Sequence, residues 1–285
     1  MRGLLTPLID ADPLQLVTKA RGLRKRAKQW WKHRQTDVYL VSFPGCGRTW
    51  LTMLIWKAFV DEYQVRDAEP GKLHPLHALE PRIPTMRQVH DGDPQLKHVT
   101  EIEAEKSRFA DKVVILMVRD PRDAFISYYF EGSRRRGRFT STVSEFLRSE
   151  VGSIDSIIAY YNVWAAQRKV PRRFCMVRYE DLKRNPRDEL ARGMQTIGHV
   201  LSDAVLDRAI EFAKFENMRK LEETGSGHPA LARNKNLEDK ETFKTRKGKV
   251  GGYREYLSPE DLAFLENRIS ARLSAFFEGY FRPSA

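Results

Sequence analysis

The segment that most constrains this chain is Val113-Val114-Ile115-Leu116-Met117-Val118, an unbroken apolar run that stops at Arg119-Asp120-Pro121. A strand with one face in water alternates apolar and polar residues. A run without alternation needs cover on both faces, which is the condition of a parallel sheet between layers of helix. A helix is predicted next, through Phe130: Asp120 suits its N-cap, Pro121 its first position and Asp123 its first turn.

An earlier stretch follows the same plan. Val38-Tyr39-Leu40-Val41-Ser42-Phe43 is rich in β-formers and ends at the breaker cluster Pro44-Gly45-Cys46-Gly47. Residues 49–60 then read as a helix apolar nearly all round, hence buried. A third candidate strand, Phe174-Cys175-Met176-Val177-Arg178, follows a helix around 154–168. Further helices are predicted at 186–198 and 203–214, and Ser258-Pro259-Glu260-Asp261 opens a last one running to about Phe277. Strands separated by helices predict a three-layer α/β fold, a parallel β-sheet flanked by helices, with ligands beyond the carboxyl ends of the strands.

Residues 61–85, rich in Pro and His, and the charged stretch 223–245 read as loops of the lid or binding type. One domain is expected over 37–285, preceded by a basic N-terminal arm, 1–36. Within the arm, residues 17–34 are dense in Lys and Arg and carry Leu23, Trp30 and Trp31. They are expected to form a helix packed on the domain through the tryptophans. Contact with a membrane surface is the competing reading, and the apolar stripe is thin for it.

The formal net charge of +12 draws anions. No nucleic-acid-binding module accompanies it, so a small anionic substrate is the expected ligand rather than nucleic acid. Cys46 and Cys175 are the only cysteines and stand far apart, which argues against a disulfide framework or a zinc site. With no signal-type run and nothing near the ~20 apolar residues of a membrane span, the expected location is cytoplasmic.

Two segments read as anion sites. Ser42 to Trp50 spells SFPGCGRTW between strand and helix, where backbone N–H groups point outward at the positive end of a helix dipole. Gly45 and Gly47 let a ligand approach the backbone; Arg48 and Thr49 add a cation and a hydroxyl. The loop lacks the Gly-Lys-Ser/Thr of a nucleoside-triphosphate P-loop and so lacks that motif's magnesium ligand. The second site is Arg119 at the end of its strand with Ser127, two turns beyond the Asp120 cap and on the same helix face. A third basic cluster, Arg246-Lys247-Gly248, lies in KTRKGKVGGY, whose glycines suit a strap folded over an anion.

These segments resemble, in order, the motifs of the sulfotransferases that use 3′-phosphoadenosine 5′-phosphosulfate (PAPS). SFPGCGRTW looks like their 5′-phosphosulfate loop and VRDPRDAFISYYF like their 3′-phosphate motif. VRYEDLKRNP resembles the segment after the central strand, and RKGKVGGYREYLSPED their RKGxxG element. The resemblance implies a P-loop-like sheet and PAPS as co-substrate without a metal. It implies that Arg119, Ser127, Arg246, Lys247 and Gly248 hold the 3′-phosphate. It places Gly45, Cys46, Gly47, Arg48, Thr49 and Trp50 on the loop around the 5′-phosphate, and Tyr179 and Phe215 beside the adenine. One position departs: many members carry Lys or Arg after the loop proline, where this chain has Gly45. Arg48 is expected to supply the missing charge.

Sulfuryl transfer to a hydroxyl needs a base, and histidine suits it. The family places one between the two anion motifs. His90, in MRQVHDG, ends a short strand-like segment and is the preferred candidate; His98, in LKH, is the alternative, and Asp91 a weak candidate for holding an acceptor. The expected enzyme transfers sulfuryl from PAPS to a hydroxyl or amine of a small-molecule or carbohydrate acceptor. A P-loop-type kinase, or an inactive domain that only binds PAPS or its desulfated product PAP, are the alternatives.

Overall fold

A computed structural model describes residues 24, 27–225, 231, 236, 238–277, 279 and 281. The chain divides into two compact units, residues 1–36 and 37–285. In the first, residues 27–34 are helical and the Arg34 guanidinium lies over the Trp30 ring at 5.5 Å. Most of the helix predicted at 17–34 lies outside the described residues.

The second unit is built on four strands, β1 (Val38–Ser42), β2 (Met86–Val89), β3 (Val113–Val118) and β4 (Arg173–Arg178), in the order β2-β1-β3-β4. All neighbours are parallel, with Val41 opposite Val89, Ser42 opposite Met117 and Met117 opposite Val177. Every residue of β1 and β3 is buried, as an unbroken apolar run requires in the middle of a covered sheet. The expected fold class holds: a parallel sheet flanked by helices.

Because the strands run one way and in step, all four carboxyl ends meet at one rim. The turn after Ser42, His90 after β2, Arg119 after β3 and Tyr179 after β4 therefore line up along that rim although they are far apart in sequence.

The helices follow the predicted start signals. Helix α1 (Arg48–Glu62) buries Leu51 to Ile55, Trp56, Ala58 and Phe59, so it is apolar on most of its surface. Helix α2 (Pro121–Phe130) is capped by the Asp120 side chain, which accepts from Arg122 N at 2.9 Å. Helix α3 (Ile154–Gln167) packs on it, followed by α4 (Pro186–Ile197) and α5 (Asp203–Phe212). Helix α6 (Phe215–Thr224) was not foreseen; its mean hydropathy is low and a single turn separates it from α5. The last helix, α7 (Pro259–Arg272), starts on its Ser258 cap but stops short of Phe277. There Asn162 takes Ser274 N at 2.7 Å and draws the chain out of the helix. Residues 61–85, expected as loop, begin with the last turn of α1 and include the short helix Leu76–Leu79. Parts of the 223–245 loop, namely 226–230, 232–235 and 237, lie outside the described residues.

Candidate active site

The turn between β1 and α1 holds its shape through two glycines with left-handed backbone, Gly45 at φ 85° and Gly47 at φ 90°. Both also stand where a side chain does not fit. A Cβ on Gly45 would come within 2.6 Å of Ala124 O, and one on Gly47 within 2.7 Å of the Tyr179 ring. No side chain caps the N-terminus of α1, which leaves its first-turn donors to whatever enters from the rim.

Arg119 extends from β3 toward this turn, Nη1 donating to Gly45 O at 3.4 Å. Its guanidinium lies over the Tyr179 ring at 4.3 Å, its Nη2 donates to Lys249 O at 2.8 Å, and its buried Nε has no hydrogen-bond partner. Asp123 lies 3.7 Å away. Tyr161, fully buried in α3, fastens the two anion segments together. Its hydroxyl donates to Arg119 O at 2.8 Å, accepts from Arg119 N at 3.0 Å, and lies 3.2 Å from Cys46 Sγ. Burial pushes the Cys46 thiol up to about 11, so it stays protonated and serves as the donor in that contact. Nothing in the sequence marks Tyr161 for this task; it reads as one more apolar-face residue of a helix.

The strap 246–252 is tied to α2. Asp123 accepts from Gly251 N at 2.7 Å and from Tyr253 N at 3.0 Å. Arg246 donates to Glu241 at 2.9 Å and Lys247 to Glu255 at 2.7 Å, so both strap cations are paired with carboxylates at the edge of the site. Gly248 lies against Phe215: a Cβ there would meet that ring at 2.8 Å. Trp50 closes the slot, with its indole N–H on Ala213 O at 2.9 Å and its ring edge-on to Tyr179 at 5.6 Å between centroids.

At the β2 end, His90 Nδ1 lies 2.8 Å from Ser42 O. A carbonyl only accepts, so Nδ1 carries the proton and Nε2 keeps its lone pair. Arg48 Nη2 stands 3.0 Å from that Nε2, while Nη1 donates to Val89 O. Burial first, and then the Arg48 charge, hold the imidazole down at about 3. It is therefore neutral across the physiological range. Burial also lowers the Arg48 guanidinium to about 10.

One cavity of about 460 Å³ is lined by Gly45, Cys46, Gly47, Arg48, Thr49 and Trp50, by Arg119 and Ser127, by Tyr179, Phe215, Arg246, Lys247 and Gly248, and by His90. The structure thus brings the residues of both anion segments, the 246–248 cluster and the preferred histidine to one place. His98 lies elsewhere: it is half exposed, accepts from Thr100 N at 3.4 Å and faces Glu150 at 3.8 Å. Asp91 turns away as well, its buried carboxylate paired with Lys106 at 2.8 Å and with Arg108. Glu131 and Lys244 also line the cavity although nothing in the sequence singles them out, and so does Arg136, from the basic run 133–138 that reads as a solvated loop. They sit in charge-rich stretches that resemble ordinary solvated surface, and no spacing distinguishes them. Among the described residues no group of three or more His, Cys, Asp or Glu could hold a metal ion, and no helix is long and apolar enough to cross a membrane.

Comparison with known proteins identifies the family. The sulfotransferase domain model matches residues 35–277. Flavonol 3-sulfotransferase of Flaveria bidentis is 24% identical over 274 residues, covering 88% of this chain and 86% of its own. Cytosolic sulfotransferase 16 of Arabidopsis thaliana is 25% identical over 279 residues, covering 86% and 78%. Among solved structures, mouse sulfotransferase SULT7A1 complexed with PAP superposes with a TM-score of 0.57 at 21% identity, covering 84% of each chain. Retinol dehydratase with androsterone and PAP gives 0.59 at 18% identity, covering 84% and 80%. A matched domain over most of the chain, on a parallel sheet whose rim gathers both anion motifs, makes this chain a member of the PAPS-dependent sulfotransferase family.

Proposed function

We propose that this enzyme transfers a sulfuryl group from PAPS to a hydroxyl of a small-molecule acceptor by in-line displacement, with His90 as base. The observation that carries the reading is the single cavity in which Arg119 touches the Gly45 turn while His90 opens at the β2 end. A doubly phosphorylated adenosine needs two anion pockets spaced by one nucleoside, and this rim offers both. The residues fit such a ligand. The glycine turn leaves a cradle that a Cβ would fill, Arg119 keeps an unpaired Nε, and Trp50, Tyr179 and Phe215 supply an aromatic slot.

In this assignment Arg119, Ser127 and the strap 246–248 hold the 3′-phosphate, and the 45–49 turn holds the 5′-phosphosulfate. Arg48 has two tasks. It caps His90 Nε2 in the state described, and by turning its fork toward the phosphosulfate it both balances charge on the leaving phosphate and uncovers the base. His90 then takes the acceptor proton on Nε2 while its Nδ1–H stays on Ser42 O, which fixes the ring. Flavonol sulfotransferases among the relatives support a small aromatic or polyhydroxylated acceptor; an amine or a carbohydrate remains within the chemistry. The cytosolic names of several relatives and two unpaired cysteines support a cytoplasmic setting. The lack of Gly-Lys-Ser/Thr speaks against a kinase.

Thermal-shift titration tests the donor: PAP should raise the melting point with no magnesium present, and ATP should do little. Incubation with PAPS and a panel of phenols, sugars and amines should then yield a product heavier by one SO₃. No shift with PAP would end this reading.

A further inference from the structure

At Gly45, where the resemblance leads one to expect a cation, this chain cannot carry one. The Cβ of any residue replacing Gly45 would press on Ala124 O at 2.6 Å, from a backbone angle that side chains rarely adopt. Another cation, Lys244, lines the same cavity. Helix α2 widens into a π-helical turn at Glu131–Arg135, a device that re-aims side chains, and Glu131 faces the cavity. Lys244 Nζ reaches its Oε2 at 2.5 Å and Arg136 Nη2 its Oε1 at 2.8 Å. Burial would push the Glu131 carboxyl up, but Lys244 and then Arg136 hold it at about 2, so it is ionised.

Lys244 is fixed from behind. Buried Glu222 takes its backbone N–H at 2.5 Å, together with Thr245 N at 2.8 Å and the Thr245 hydroxyl at 2.6 Å. The ammonium also stands close enough to His90 to depress that imidazole, after burial and Arg48. An ammonium has three donors, and one is engaged by Glu131.

We propose that Lys244 is a catalytic residue, contacting the sulfuryl end of the donor, and that Glu131 is its positioning residue. This rests on the cavity being a PAPS site. In the step, the new bond forms between the acceptor oxygen and sulfur as the bond from sulfur to the bridging oxygen breaks. That electron pair leaves on the 5′-phosphate, and the acceptor proton goes to His90 Nε2. Lys244 holds the sulfuryl oxygens throughout and needs no proton transfer of its own. Its remaining donors reach the sulfuryl while Glu131 keeps it in place, so the charge missing at Gly45 enters from Lys244, two residues before the strap.

The test is calorimetric binding of PAP and of PAPS to the full chain, since only PAPS carries the sulfuryl group. K244M should weaken PAPS by about tenfold or more and leave PAP within about twofold, the loss expected for one charge-assisted hydrogen bond. K244R should recover part of the difference. If K244M unfolds because Glu131 has lost a partner, K244M with E131Q removes both charges and carries the same expectation. A wild-type chain that binds neither nucleotide removes the donor site and this proposal with it. A wild-type chain that binds both, alongside a double variant with the wild-type ratio of PAPS to PAP affinity, overturns the role of Lys244 alone.

Discussion

Arg48 Nη2 lies 3.0 Å from His90 Nε2, on the one ring nitrogen that the Ser42 carbonyl leaves with a lone pair. The cation at the anion turn and the proposed base at the end of β2 are thus a coupled pair. A nitrogen capped by a guanidinium cannot take a proton, so on the proposed mechanism an anion that draws Arg48 away would also free His90.

Removing the guanidinium separates its two tasks. In R48A the His90 titration, followed by NMR of the imidazole, should move up from about 3, because the second cause of its depression is gone. Turnover should fall nonetheless, since charge on the leaving phosphate loses its partner. Unchanged turnover would remove Arg48 from that role.

His90→Ala should lower turnover by roughly 10²- to 10⁴-fold, the usual share of a general base. PAP binding, read by thermal shift, should survive because no phosphate contact is assigned to the ring. An active H90A enzyme would leave the base to be found elsewhere in the cavity.

Stability should depend on His90 in a defined window. The ring titrates at about 3 in the fold against an ordinary 6.5, so as pH falls the unfolded chain takes the proton first. The contribution is fully present above about pH 6.5 and is lost toward 3, with a slope of up to about 1.4 kcal/mol per pH unit. Urea unfolding of wild type should therefore be steeper in pH than that of H90Q between pH 6.5 and 4. His199, also lowered by burial, contributes equally to both. Parallel curves would contradict a buried neutral His90.

Arg119 should discriminate nucleotides by their 3′-phosphate. R119A is expected to weaken PAP by roughly 10- to 100-fold while AMP, which lacks that group, binds as before. Calorimetry of both ligands decides it; equal losses would assign Arg119 to the structure of the rim instead.

Replacing Gly45 by Lys, as a simple restoration of the family cation, should fail. The left-handed backbone and the contact with Ala124 O are expected to cost about 1–3 kcal/mol in urea unfolding with no gain in turnover. A stable, faster G45K enzyme would mean that the turn is more pliable than its packing on α2 implies.

The parts of this site that were legible beforehand are those where local chemistry is tied to local sequence. Val113 to Val118 could only be a covered strand, and Asp120-Pro121 could only open a helix. The glycines of the turn announced close backbone approach. Helix α6 was missed because its amphipathic face is short and charged residues dominate it. Glu131 and Lys244 were missed, and the run holding Arg136 was read as solvated loop, because a charged residue in a polar stretch looks the same whether it faces water or a cavity.

The sequence by itself determined the strand-and-helix alternation, the parallel sheet and the rim at which Arg48, His90 and Arg119 must emerge, since periodicity and capping act over a few residues. Only the tertiary structure decided which of two histidines faces the cavity, that Tyr161 binds both anion segments, and that Lys244 meets Glu131. Those pairings join residues more than 40 positions apart, and their distances follow from how helices pack on the sheet, which no short-range pattern encodes.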